Sequence, residues 1–169
     1  TENGLKLPVI YNTSPYFAGV ASLTDDLMWN VKHEIGETPP KRGEPGKINL
    51  RGQRPVISPA HTNDWVPRGY IVVHSSSPGT GLSQGAPTVG GDNESLAPKA
   101  VIDWLCGRGK GYTSPDGNEK VEAFWSTGKV GMIGTSYNGT LPIAAASTGV
   151  EGLEAIIPIA PNTSYYHYY

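Results

Sequence analysis

A serine with the surroundings of a nucleophile stands in residues 130–139, which read V-G-M-I-G-T-S-Y-N-G. The apolar run ends at Gly134, Ser136 follows two positions later, and Gly139 comes three positions after the serine. Small residues at these positions suit a sharp turn from a strand into a helix, because the turn forces the serine backbone into a strained conformation. Such a turn exposes the hydroxyl at a helix N-terminus, so the pattern predicts a nucleophilic Ser136.

This segment departs in one place from the usual G-x-S-x-G pattern of a nucleophile elbow. Asn138 stands where a glycine is commoner, and asparagine is among the non-glycine residues that best tolerate unusual dihedral angles. The apolar run before Ser136 and the alanines at 144–146 provide the strand and the small-residue helix that the motif needs. That context favours a true elbow over a chance match of three residues.

The partners that a serine nucleophile needs are harder to find. A histidine normally removes the proton of the serine, and a carboxylate orients that histidine, in the chain order serine, acid, histidine. After Ser136 the sequence offers Glu151, Glu154 and His167. Both glutamates flank a predicted strand and come too early, and His167 follows that strand directly within an aromatic run. We therefore expect the acid and the base to lie outside these residues, in a larger catalytic domain of which this chain is the front part.

The sequence offers better candidates for the groups that would stabilise a developing negative charge than for the acid and the base. The backbone N–H of Tyr137, directly after the serine, is one donor to an oxyanion hole. A second donor usually comes from the loop after an early strand, where Tyr16 could direct its phenol O–H at the oxyanion. The alternative for Tyr16 is an ordinary aromatic residue in a turn.

The elements that must position these residues alternate between strands and helices. Four apolar runs predict strands at 7–11, 70–74, 130–134 and 153–159. One helix is predicted to start near Asn93 or Ser95 and another to cover 139–148, with Pro98 and Pro142 in their first turns. This alternation indicates an α/β fold with a mostly parallel sheet and helices on both faces. Residues 30–59 are polar and rich in glycine and proline, so we interpret them as a loop excursion from a single domain.

Composition excludes several classes of function. The 169 residues carry a net charge of −2, which provides no basic surface for nucleic acid or anionic lipid. No apolar stretch approaches the length of a membrane span. The glycine-rich residues 79–91 lack the G-K-[ST] ending of a phosphate-binding loop, and no pattern indicates a metal or another cofactor. A single cysteine, Cys106, favours the cytoplasm over export and leaves the compartment open.

Together these motifs resemble the S15 serine peptidases and their esterase relatives, and most of all the X-prolyl dipeptidyl aminopeptidases. The resemblance spans most of the chain, with residues 30–59 the least matched. The segments that carry it are 129–132 (K-V-G-M), 134–139 (G-T-S-Y-N-G), 148–154 (T-G-V-E-G-L-E), 14–16 (S-P-Y), 79–83 (G-T-G-L-S), 100–105 (A-V-I-D-W-L) and the aromatic residues 164–169.

The resemblance implies an α/β-hydrolase that is present only as its N-terminal part. It implies release of N-terminal Xaa-Pro dipeptides through an acyl-enzyme on Ser136, with Tyr16 and Tyr137 as oxyanion donors. Tyr165 and Tyr168 match aromatic positions around the proline ring of the substrate; the alternative is that they pack under a lid. The implied partners are a peptide or ester substrate and the rest of the catalytic domain, and the oligomeric state, including a homo-oligomer, is left open.

Two other functions fit the same residues. One is an S15-type esterase or acylase, similar to cocaine esterases or amino-acid-ester hydrolases, since the same elbow serves both chemistries. The other is an inert fragment or a non-catalytic hydrolase-like module.

Overall fold

The computed structural model describes residues 4–18, 59–80 and 83–168. The strands and helices are, in chain order, β1 (Leu7–Ser14), α1 (Pro59–Trp65), β2 (Ile71–Ser76), α2 (Asp92–Leu105), β3 (Gly111–Tyr112), β4 (Lys120–Val121), β5 (Ser126–Thr135), α3 (Tyr137–Ser147), β6 (Leu153–Ile159) and α4 (Tyr165–Tyr168). Residues 30–58 of the predicted loop excursion lie outside the described residues, and Pro59 already begins α1. Among the described residues, no helix is long and apolar enough to cross a bilayer.

The main sheet is parallel, as the sequence predicts. Its strand order is β2-β1-β5-β6, and each neighbouring pair is parallel. Strands β3 and β4 form a separate antiparallel pair. Because the four main strands run in one direction, their carboxyl ends meet at one edge, which is where sheets of this kind place their ligand sites.

Helices α2 and α3 cover one face of this sheet. Apolar side chains of β1 and β5 on that face pack with residues of both helices, and the buried cluster includes Val9, Tyr11, Ile102, Leu105, Val130, Met132 and Ala145. The Tyr11 ring is fully buried, and its phenol lies 2.7 Å from the Ser75 hydroxyl. Burial raises the pKa of Tyr11 to about 12, so the phenol stays neutral in the core.

Helix α1 lies on the opposite face, so the expectation of helices on both faces is confirmed. Successive strand residues point to opposite faces, and Asn12, next to Tyr11, places its side-chain nitrogen 3.4 Å from His61 Nε2 on α1. His74 is on the same side and packs edge-on against Phe17, with ring centroids 4.9 Å apart. Burial, with a smaller contribution from His61, lowers the pKa of His74.

The two prolines lie deeper in their helices than predicted. Helix α2 begins at Asp92 and α3 at Tyr137, so Pro98 and Pro142 are interior residues and not first-turn residues. A proline in a helix interior leaves the carbonyl four residues earlier without its usual donor. The predicted start of α3 at residue 139 is two residues late, because this helix begins directly after the turn at Ser136 with no intervening loop, whereas the start of α2 predicted near Asn93 is within one residue of Asp92.

Candidate active site

Ser136 occupies a strained turn between β5 and α3. Its backbone angles are φ 61° and ψ −125°, and Ser136 and Ala160 are the two non-glycine residues with positive φ in the described chain. Such a conformation costs about 1–3 kcal/mol and persists only where its surroundings hold it. Here the Ser136 N–H donates to the Ile159 carbonyl at 2.9 Å, and its carbonyl accepts from Gly139 N–H at 2.9 Å. The side chain is exposed, as the elbow pattern predicts.

Steric constraints require glycine at the two positions around the serine. A Cβ on Gly134 would lie 2.1 Å from the carbonyl oxygen of Asn138. A Cβ on Gly139 would lie 2.8 Å from the carbonyl oxygens of both Gly134 and Ile159. The positive φ belongs to Ser136, as the elbow pattern predicts, whereas Asn138 lies inside α3 and has no positive φ.

A cavity of about 410 Å³ lies beside Ser136 at the carboxyl edge of the sheet. This volume is within the range of small-molecule sites. The cavity brings together four of the five predicted site residues, since Tyr16, Ser136, Tyr137 and Tyr165 all line it. The side chain of the fifth, Tyr168, lies outside the described residues. The catalytic and binding roles of all five stay predictions.

Tyr16 reaches this cavity from the turn that follows β1. Its backbone N–H donates to the hydroxyl of the fully buried Ser14 at 3.0 Å, which fixes the turn to the end of the strand. The Tyr16 side chain is 65% exposed. A phenol held by its backbone and open to solvent is accessible to a substrate in the cavity.

Tyr137 is held through its side chain by a carboxylate that sequence reasoning missed. Its phenol donates to the carboxylate of Glu94, which is only 4% exposed, and lies 3.4 Å from the Thr88 carbonyl oxygen. The other carboxylate oxygen accepts the Gly90 N–H at 2.5 Å. Burial first, and then the contact with Glu94, raise the pKa of Tyr137 above its usual value. A glutamate in the first turn of α2 is a visible helix-start signal, but nothing in the sequence connects it to Tyr137.

The later acidic residues and His167 do not join this site. Glu151 precedes β6 and Glu154 is its second residue, so both lie at the amino end of the strands, whereas Ser136 follows the carboxyl end of β5. His167 is exposed, and its ring packs against Tyr166 at a centroid distance of 5.1 Å. Among the described residues, those that line the cavity include no histidine. The described part of the chain therefore provides a serine and candidate oxyanion donors, without a base beside them.

Solved structures share this architecture. An alpha-amino acid ester hydrolase matches 95% of the chain and 22% of its own length, with a TM-score of 0.57 and 21% identity. A CocE/NonD family hydrolase from Staphylococcus aureus matches 91% of the chain and 22% of its own length, with a TM-score of 0.53 and 24% identity. At these identities the likeness concerns the fold, which is that of an α/β-hydrolase.

Sequence relatives are more similar. A protein of Rhodopirellula baltica, provisionally named a Xaa-Pro dipeptidyl-peptidase, is 68% identical over 98% of this chain and 26% of its own length. The Xaa-Pro dipeptidyl-peptidase of Lacticaseibacillus rhamnosus is 36% identical over 100% of this chain and 24% of its own length. The chain thus spans about a quarter of the length of these relatives. The family model described as X-Pro dipeptidyl-peptidase (S15 family) matches residues 1–169. The chain therefore belongs to the S15 family of X-Pro dipeptidyl-peptidases.

Proposed function

We propose that this chain is the N-terminal part of the catalytic domain of a serine peptidase that releases Xaa-Pro dipeptides from peptide N-termini. The observation that carries the proposal is the strained backbone of Ser136, which presents an exposed hydroxyl to the cavity. Strain of this kind is retained where function requires it. The names of the sequence relatives support the choice of substrate.

In the proposed reaction, Ser136 Oγ attacks the carbonyl carbon of the proline residue while a base takes its proton. The carbonyl oxygen becomes an oxyanion, which the Tyr137 N–H and the Tyr16 O–H stabilise. Collapse of this intermediate breaks the peptide bond, and the leaving amine takes up a proton. Water then attacks the acyl-enzyme ester, releasing the dipeptide and restoring the serine hydroxyl.

The base and its orienting acid are proposed to come from the remainder of the catalytic domain in the full-length gene product. Strand β6 is at one end of the described sheet, and its side chains Ile157 and Ile159 are 49% and 45% exposed. Exposed apolar residues on an edge strand fit a surface that further strands and helices cover. This same addition would bring a histidine to the carboxyl edge, next to Ser136.

The aromatic side of the cavity is proposed to hold the proline ring of the substrate. Tyr165 lines the cavity and packs closely on the loop before α2, since a Cβ on Gly90 would lie 2.8 Å from the Tyr165 ring. An aromatic wall suits proline, whose ring is apolar and whose nitrogen carries no N–H once a peptide bond joins it to the preceding residue. Tyr168 is proposed as a second member of this wall.

Hydrolysis rates on two substrate classes test the peptidase assignment. We expect the full-length gene product to cleave Gly-Pro-anilide with a higher kcat/KM than Gly-Ala-anilide, because the aromatic wall favours proline. A simple aryl ester measures the acyl-transfer machinery without the dipeptide. Ester hydrolysis with no cleavage of either anilide would assign the protein to the esterases or acylases, and no reaction with any of them would favour an inert module.

Replacing Tyr16 with phenylalanine tests the oxyanion hole. Loss of one donor typically lowers kcat by about 100-fold to 1000-fold, so we expect a fall in kcat of about 100-fold with little change in KM. Steady-state kinetics of the full-length Tyr16→Phe variant provide the measurement. Tyr112→Phe, another exposed tyrosine away from the cavity, is the matched control and should behave like the wild type. An unchanged kcat in the Tyr16→Phe variant would mean that Tyr16 is an ordinary residue of the turn and not an oxyanion donor.

A further inference from the structure

The contact between Glu94 and Tyr137 links the elbow to a second wall of the cavity. Glu94 lies in the first turn of α2, and its backbone N–H donates to the Gly91 carbonyl at 3.0 Å. The side chain is buried, and its two oxygens receive the Gly90 N–H and the Tyr137 phenol. A buried carboxylate is costly unless it is hydrogen-bonded, and here the helix N-terminus adds partial positive charge. The arrangement therefore stabilises one position of the Tyr137 side chain.

The position of that side chain matters because of what the Tyr137 backbone does. Tyr137 is the first residue of α3, and its N–H is the proposed oxyanion donor directly after Ser136. A donor is effective only when it is held within a few tenths of an ångström of the oxyanion position before the reaction starts. Ser136 itself is anchored through the Ile159 and Gly139 contacts, whereas the Tyr137 side chain is anchored on α2.

We infer that Glu94 is a positioning residue for acyl transfer, which holds the oxyanion donor of Tyr137 through a hydrogen bond to its phenol. This inference rests on the proposed function and adds a residue to it. Glu94 does not touch the reacting atoms in this role. It acts on every substrate alike, because the oxyanion forms whatever the leaving group.

Two variants alter the contact from its two ends. Glu94→Gln keeps the size of the side chain and removes its charge, and Tyr137→Phe removes only the phenol oxygen. For each we expect kcat to fall by about 10-fold to 100-fold, with KM within threefold of the wild type, on both Gly-Pro-anilide and an aryl ester without an amine. The double variant should lose no more than the worse single variant, because both changes break one interaction.

Asp92→Asn is the matched control, since Asp92 is an exposed acidic residue in the same first turn of α2. It removes an equal charge from the helix N-terminus and should leave kcat unchanged.

Four results would overturn the inference. A Glu94→Gln variant that loses activity only on amine-bearing substrates, through a raised KM, would make Glu94 a binding group for the substrate amine. Additive losses in the double variant would separate the two residues. Unchanged kcat in both single variants, even with a lower melting temperature, would leave Glu94 a helix-start residue only. A wild-type protein inactive on both substrates would overturn the proposed function together with this inference, whereas an active wild type with unaffected variants overturns this inference alone.

Discussion

Replacing Ser136 with alanine should abolish covalent labelling of the full-length gene product by a fluorophosphonate probe and lower kcat by about a millionfold. The probe reacts when the serine oxygen attacks phosphorus and fluoride leaves, so it needs a serine activated by a base and an open site. Ser136 meets the second condition in this structure, with an exposed side chain in a cavity of about 410 Å³. Alanine keeps the backbone and removes only the oxygen that forms the acyl bond.

Ser147→Ala is the matched control for this experiment. Ser147 is an exposed serine at the other end of α3, and its hydroxyl donates to the Ala144 carbonyl at 2.7 Å. That variant should label and turn over like the wild type. Persistent labelling of Ser136→Ala would place the nucleophile elsewhere, and a wild-type protein that never labels would favour a non-catalytic module.

Replacing Gly134 with alanine should be the most damaging change to the fold around the site. The added Cβ would lie 2.1 Å from the Asn138 carbonyl oxygen, and a backbone atom at the start of α3 cannot move aside as a flexible side chain would. Overpacking typically costs about 1–3 kcal/mol, and a collision with backbone lies at or above the upper end of that range. We expect a loss of about 3 kcal/mol or more in the free energy of unfolding, measured by chemical denaturation, and loss of fluorophosphonate labelling.

The same strand provides the control. Gly131 also lies on β5, but a Cβ there would meet Ile10 Cδ1 at 3.4 Å, which is ordinary contact with a mobile side-chain end. Gly131→Ala should therefore change the free energy of unfolding by less than about 1 kcal/mol and retain labelling. Equal effects at the two positions would mean that the elbow geometry described for Gly134 is wrong.

The elbow could be predicted from the sequence because its physical requirements are local. The strand, the serine and the two glycines lie within ten residues, and each restricts which residue types can occupy its positions. The parallel sheet was predictable for a related reason, since the apolar runs at 70–74, 130–134 and 153–159 are separated by helix patterns. The same local reasoning correctly predicts the strained backbone at Ser136 and is wrong about the prolines, because it places Pro98 and Pro142 in the first turns of their helices.

The contact of Glu94 with Tyr137 could not be predicted, because 43 residues separate its two partners. Only the pairing of strands and the packing of α2 beside α3 bring them together. The same limit applies to Tyr16, whose place in the cavity depends on β1 lying beside β5. Residue type marks a candidate for such a role, and topology decides whether the candidate is near the serine.

The hydrogen bond from Ser136 N–H to Ile159 has a consequence for biosynthesis. Its acceptor comes from a strand that the ribosome makes after the serine, so this hydrogen bond cannot form until residue 159 has been translated and its strand has paired with β5. A nascent chain that stops before this point lacks the acceptor for the Ser136 N–H. The order of synthesis thus delays full support of the strained turn until β6 has been made.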